Sequence, residues 1–214
     1  MVEFRKQLDA LGKGHLLTGT VGVGYDKIEA TDPAGYIQPM DWLNLMTYDY
    51  QGGWDPKGPT DHQANLYDDP KSPRYGKPGY TSTDGVVKKL LAAGVPAEKM
   101  VLGVPFYGRG WTGVTNANDG LYQAATGAAT GTWEAGIEDY KVLKAKPGTV
   151  HHDAKGQSFK FDGTTFWTYD SPQAIASKIA FVKQHGLGGM FAWELSGDTL
   201  DGELTKAMAD VVKP

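Results

Sequence analysis

The chain has 214 residues, 21 Lys and Arg against 25 Asp and Glu, and a formal charge of −4 at pH 7. A pI near 5.7 offers no basic face, which argues against nucleic acid and against an anionic membrane surface as partners. With no cysteine, disulfides and thiolate metal sites are excluded. The 40% hydrophobic and 21% charged residues fit one or two compact soluble units.

In chain order, Phe4, Leu8 and Leu11 share one face of an opening helix that ends near Gly12. This charged, amphipathic start does not read as a signal peptide, and no apolar run is long enough to span a bilayer. A strand is expected over about 15–23, and a second over 42–49. The latter, Trp42-Leu-Asn-Leu-Met-Thr-Tyr48-Asp49, is an apolar run that ends in a phenol and a carboxylate. That is how a parallel barrel presents chemistry at the C-terminal rim of its sheet. Residues 51–82, rich in Gly, Pro, Asp and Tyr, read as a long rim loop. Val86, Val87, Leu90 and Leu91 mark a helix stopped by Gly94.

The rim pattern recurs in Met100-Val-Leu-Gly-Val-Pro-Phe-Tyr107-Gly-Arg109-Gly-Trp111 and in Leu187-Gly-Gly-Met-Phe-Ala-Trp193-Glu194. Between them lies a stretch full of Gly, Thr and Asn, a candidate insertion. Ser171-Pro172 starts a helix with proline at its first position, Ile175, Ile179 and Val182 form its buried stripe, and Gly186 ends it. Leu200, Leu204, Met208 and Val211 outline a last helix.

These three rim segments resemble strands six, seven and eight of a family 18 glycoside hydrolase, the chitinase type of (β/α)8 barrel. Glu3-Phe-Arg-Lys-Gln-Leu-Asp-Ala-Leu resembles the helix after strand four, and His15-Leu-Leu-Thr-Gly-Thr-Val resembles strand five. Gly131-Thr-Trp-Glu134-Ala-Gly-Ile-Glu-Asp-Tyr140 is similar to the small α+β insertion that bacterial members carry. The resemblance implies an α/β fold, a partial TIM-type (β/α) barrel of about strands five to eight. Residues 1–111 and 166–214 would form the half barrel, and 112–165 the insertion. A full barrel takes about 250 residues, and roughly 160 lie outside the insertion. Four strands cannot close, so the exposed inner face predicts a homodimer or higher oligomer.

The family's general acid closes an Asp-x-x-Asp-x-Asp-x-Glu run at the end of strand four, and no such run occurs here. Asp198-Thr-Leu-Asp201-Gly-Glu203 has the wrong spacing and reads instead as the capped start of the last helix. By resemblance, Tyr48 bonds the acetamido group of N-acetylglucosamine with Asp49 beside it, as the catalytic pair. Met46 and Trp193 would make the apolar wall and floor under the sugar. Tyr107, Arg109 and Glu134 would bind its hydroxyl groups, and Trp54 would stack on the leaving-group side. The implied substrate is chitin or N-acetylglucosamine oligosaccharides, with activity weak or absent unless another acid substitutes. Such chitinases are usually secreted, though no signal peptide is read here. Each of these residues also has a purely structural reading, such as a barrel-end indole or a pairing of Arg109 with Glu134 or Asp49. Trp111, Trp133 and Trp167 are assigned to packing of the insertion, and Glu194, by strand alternation, to the helix side of the sheet. His151-His152 lacks a third ligand at metal spacing, and Gly22-Val-Gly24 lacks a dinucleotide fingerprint, so no metal or cofactor is expected.

Overall fold

A computed structural model describes residues 1–153 and 156–212. Its elements, in chain order, are α1 (Val2–Ala10), β1 (Thr18–Gly22), α2 (Tyr25–Glu29), α3 (Pro33–Ile37), β2 (Trp42–Met46), α4 (Thr83–Ala92) and β3 (Met100–Pro105). There follow β4 (Tyr107–Thr112), β5 (Gly127–Ala128), β6 (Ile137–Asp139), α5 (Tyr140–Ala145), β7 (Thr149–His152), β8 (Ser158–Phe161) and β9 (Phe166–Tyr169). The chain closes with α6 (Pro172–His185), β10 (Gly189–Trp193) and α7 (Glu203–Met208).

Two sheets result. The first has the order β1-β2-β3-β10, every pairing parallel. Burial alternates along β2. Leu43, Leu45, Met100, Leu102 and Val104 are fully buried in one cluster with Val86, Val87 and Leu90 of α4 and Ile175 of α6. Burying each such side chain stabilises the fold by about 1.5–3 kcal/mol relative to exposure. Trp42, Asn44, Met46 and Phe191, on the opposite face, are only partly covered. β1 and β10 are the sheet's two unpaired edges.

The second sheet is antiparallel, in the order β5-β4-β9-β8-β7, with β6 also pairing β4. It takes in more chain than the expected 112–165. Tyr107–Trp111 and Phe166–Tyr169, placed in the half barrel by the sequence, pair with each other within β4 and β9, Gly108 opposite Tyr169. Their partners lie about sixty residues apart, so no local periodicity marks them. Trp111 and Phe166 are buried in this sheet's own core with Phe159 and Phe161.

Helix ends follow their capping residues. The Ser171 hydroxyl accepts from the Ala174 N–H, Pro172 occupies the first turn, and Gly186 closes α6 at φ 61°. The N-cap of α7 is Gly202 rather than an aspartate, but the Asp198 carboxylate, from farther back, accepts from the N–H groups of Leu204 and Thr205 in the first turn of the helix. Burial opposes ionisation there, but these bonds outweigh it and hold the carboxyl below its usual range. One apolar reading needs correction, since Leu200 precedes α7 and is wholly exposed. The opening helix forms as α1, with none of its residues buried.

Residues 51–82 contain no helix or strand but are not loosely attached. Thr60, Asp61, His62, Gln63, Ala64, Asn65 and Leu66 are all buried. The Asp61 carboxylate accepts from Ser72 and from the His62 N–H, and burial raises its pKa. Gln63 donates to the Tyr107 carbonyl, and Tyr50 N–H to the Gln63 carbonyl. The loop thus ties the end of β2 to the start of β4. Among the described residues no helix is long and apolar enough to cross a membrane.

Candidate active site

The end of β2 turns its side chains toward the end of β3. Tyr48 is buried and packs edge-on against Tyr107, with ring centroids 6.1 Å apart, and against Phe191 at 6.2 Å. Among the described residues nothing accepts from or donates to its hydroxyl. Burial, with the nearby Asp49 charge, pushes the Tyr48 phenol up to about 12, so it remains a proton donor at neutral pH. Asp49 is partly exposed and adopts φ 60°, a left-handed conformation that aspartate tolerates better than most residues.

Asp49 is held from one side. The Tyr107 hydroxyl and the Arg109 Nε both donate to its Oδ1, each at 2.8 Å. Burial alone would lower the Arg109 pKa. The hydrogen bond and charge of Asp49, with Tyr107 and Glu134, reverse this and hold the guanidinium above its usual value. Burial drives the Tyr107 phenol strongly up, and the Asp49 carboxylate adds to that rise. The Arg109 guanidinium lies 5.0 Å from the Trp54 ring centre and 5.4 Å from that of Tyr107. Trp54 folds back over Gly52, where a Cβ would come within 2.3 Å of the indole and push it aside. Asp49, Tyr107, Arg109 and Trp54 form one connected group, although their positions span three separate elements of the chain.

Two depressions flank the group. One of about 300 Å³ is bounded by Met46, Tyr48 and Asp49 together with Lys27 and Thr81. The other, about 370 Å³, is bounded by Tyr107, Trp133, Glu134, Trp193 and Glu194. Tyr107 touches both groups: it bonds Asp49 and lines the second depression. All eight residues singled out by the sequence therefore border this rim, Met46 and Tyr48 on one side, Glu134 and Trp193 on the other.

Two residues differ from the sequence reading. Trp133 is 81% exposed, whereas Trp111 and Trp167 are buried. It sits in Gly131-Thr-Trp-Glu-Ala-Gly136, and the flanking glycines were the available sign of a turn that projects its side chain outward. Glu194 does not point to the helix side of the sheet. β10 ends at Trp193 and the chain enters a 3-10 turn, Leu195–Gly197, so alternation no longer applies. Its exposed carboxylate lines the second depression and accepts from Ser196. Among the described residues no group of three or more His, Asp or Glu is arranged to hold a metal ion.

Four parallel strands backed by helices, with aromatic and ionisable side chains gathered at their C-terminal ends, make the chain part of a TIM-type (β/α) barrel. It belongs to the glycosyl hydrolases family 18, whose family model matches residues 1–198. Chitinase 63 of Streptomyces plicatus is 44% identical over 94% of this chain and 32% of that protein. The catalytic domain of psychrophilic chitinase B from Arthrobacter TAD20 superposes with a TM-score of 0.91 at 42% identity, over 98% of this chain and 48% of that one. A class V chitinase from Nicotiana tobaccum, solved in complex with NAG4, gives a TM-score of 0.82 at 27% identity, over 100% of this chain and 62% of that one. The chain spans about a third of the length of the curated relatives it matches.

Proposed function

We propose that this chain forms the sugar-holding part of a chitinase-type active site for β-1,4-linked N-acetylglucosamine. The observation that carries this reading is the group in which Tyr107 and Arg109 fix Asp49 beside a Tyr48 hydroxyl that has no partner among the described residues, next to exposed indoles. In the substrate-assisted, retaining route the sugar's own acetamido oxygen attacks the anomeric carbon. Tyr48, protonated, donates to the acetamido group and keeps it against the ring. The Asp49 carboxylate, with Oδ1 already bonded, faces the positive charge that develops as the glycosidic bond breaks. Trp193 supplies a flat apolar floor for the pyranose, and Met46 its wall. Glu134 and Arg109 take hydroxyl groups, and Trp54 stacks on the leaving-group side.

The leaving oxygen needs a proton, and general acid catalysis typically contributes about 10²–10⁴-fold. Glu134 and Glu194 are both exposed, and neither closes the Asp-x-x-Asp-x-Asp-x-Glu run that carries the family's acid. We therefore assign residues 1–214 binding and orientation without the acid. A non-catalytic oligosaccharide-binding role is the second reading, favoured by the same observation. Incubation with N-acetylglucosamine tetramer, read by mass spectrometry beside Asp49→Ala, separates the two. Binding with no cleavage is expected. Cleavage lost in Asp49→Ala would show a working acid within these residues, and absence of binding would remove both readings.

The partly covered inner face and two free edges of the first sheet also lead us to infer self-association of this 214-residue chain, as a homodimer or higher oligomer. A two-fold axis along the strands sets β10 of one copy beside β1 of the next, both five residues long and both running the same way. Sedimentation should show a species of at least twice 23.1 kDa, and a monodisperse monomer would overturn this assignment.

A further inference from the structure

β2 pairs with β3 only as far as Leu45 opposite Leu102. Beyond that point the Thr47 N–H turns back to the Leu45 carbonyl at 2.7 Å, and the backbone of β2 leaves the ladder. The Thr47 side chain takes its place. Its hydroxyl donates to the Gly103 carbonyl at 2.7 Å and accepts from the Gly103 N–H at 2.9 Å. One hydroxyl can do both, since it carries one proton and two lone pairs. Thr47 has no exposed surface, so solvent does not compete for these bonds.

Gly103 supplies the matching half. A Cβ at that position would lie 2.5 Å from the Leu45 carbonyl oxygen, 2.8 Å from Tyr48 Cε1 and 2.9 Å from Phe191 Cζ. The Tyr48 ring crosses β3 where β3 has no side chain. The residue after it, Asp49, enters positive φ and meets Tyr107 and Arg109. The turn at Thr47 therefore sets where both polar groups of the rim point, although Thr47 itself lies out of reach of any ligand.

We propose that Thr47 is a positioning residue for the sugar site. By bonding both polar groups of Gly103 it fixes the direction of the Tyr48 hydroxyl and the Asp49 carboxylate. The proposal rests on the reading of Tyr48 as the acetamido partner. A hydroxyl that merely tidied a strand end would stabilise the fold without being coupled to Tyr48 in ligand binding, and that difference is measurable.

The test is calorimetric titration of N-acetylglucosamine tetramer into the parent chain and into Thr47→Val, Thr47→Ser, Tyr48→Phe and the Thr47→Val/Tyr48→Phe double variant. Thr47→Val keeps the shape and removes both bonds, and its affinity should fall about tenfold. Thr47→Ser keeps the hydroxyl and should stay within about twofold of the parent. The double variant should lose less affinity than the two single losses combined, because part of the effect of Thr47 passes through Tyr48. If Thr47→Val fails to fold, Thr47→Ala, which leaves room for solvent to reach Gly103, carries the same expectation. Parent-like affinity in the Val or Ala variant, or full additivity in the double variant, overturns the proposal. A parent that does not bind the tetramer, or a Tyr48→Phe variant that binds equally well, instead removes the underlying reading of the site.

Discussion

Lys178→Ala lowers the folding stability of this chain by about 3–5 kcal/mol, read from the urea midpoint at constant slope. Lys178 and Asp170 have side chains 0% and 1% exposed, and the Lys178 ammonium donates to Asp170 Oδ2. Burial pushes the Asp170 carboxyl up, and the Lys178 charge opposes that rise. Removal of the lysine leaves a buried carboxylate without the ammonium that offsets its burial, which is much costlier than loss of a surface pair. The loss would be a large share of the roughly 5–15 kcal/mol that holds a typical domain together. It would also reach the rim loop, because the buried His62 of that loop lies close enough to Asp170 to influence its charge. Replacing both partners, as Asp170→Asn/Lys178→Met, should lose less than Lys178→Ala alone, since no charge is stranded. A single-variant loss below about 1 kcal/mol would sink the argument.

The same lysine shows where the sequence stops being legible. Ile175, Ile179 and Val182 announced the buried stripe of α6 by spacing, but Lys178 on the same side reads as a solvated residue until Asp170 is seen opposite. Apolar strands ending in polar residues were legible at 42–49 and 187–193 as apolar runs with a polar end, although only alternate residues of β2 are buried and those of β10 are partly exposed. Tyr107–Thr112 read as the rim of a strand because Gly, Arg and Trp carry no sign of which sheet they join. Its partners, β5, β6 and β9, are fixed only by pairing across the chain. The rim residues were named by resemblance, but what links them was not. Nothing in Thr47, Gly103 or Gly52 as letters tells that a hydroxyl replaces a ladder bond, or that missing Cβ atoms make room for Tyr48 and Trp54. Such roles arise from contacts between segments distant in sequence, and a single chain of residues does not display them.

Trp193→Ala reduces the affinity for N-acetylglucosamine tetramer by about 10- to 100-fold and leaves the urea midpoint within experimental error. The expectation follows from where the indole sits. Trp193 is 57% exposed at the end of β10, facing the depression that Tyr107, Trp133 and Glu134 also line. An indole with that much surface in water contributes little to the fold, unlike Trp111, which is wholly enclosed. Covering it with the apolar face of a pyranose is worth about 1.5–3 kcal/mol, which converts to the stated loss in affinity. Stability and affinity therefore separate at this residue, and the separation discriminates between readings. If Trp193 were barrel-end packing, truncation would lower the urea midpoint and leave tetramer binding to the other rim residues. If it closes a contact between copies of the chain, truncation would shift the sedimentation profile as well as the binding. Loss of affinity alone, with fold and assembly intact, is the outcome that the sugar-floor assignment requires.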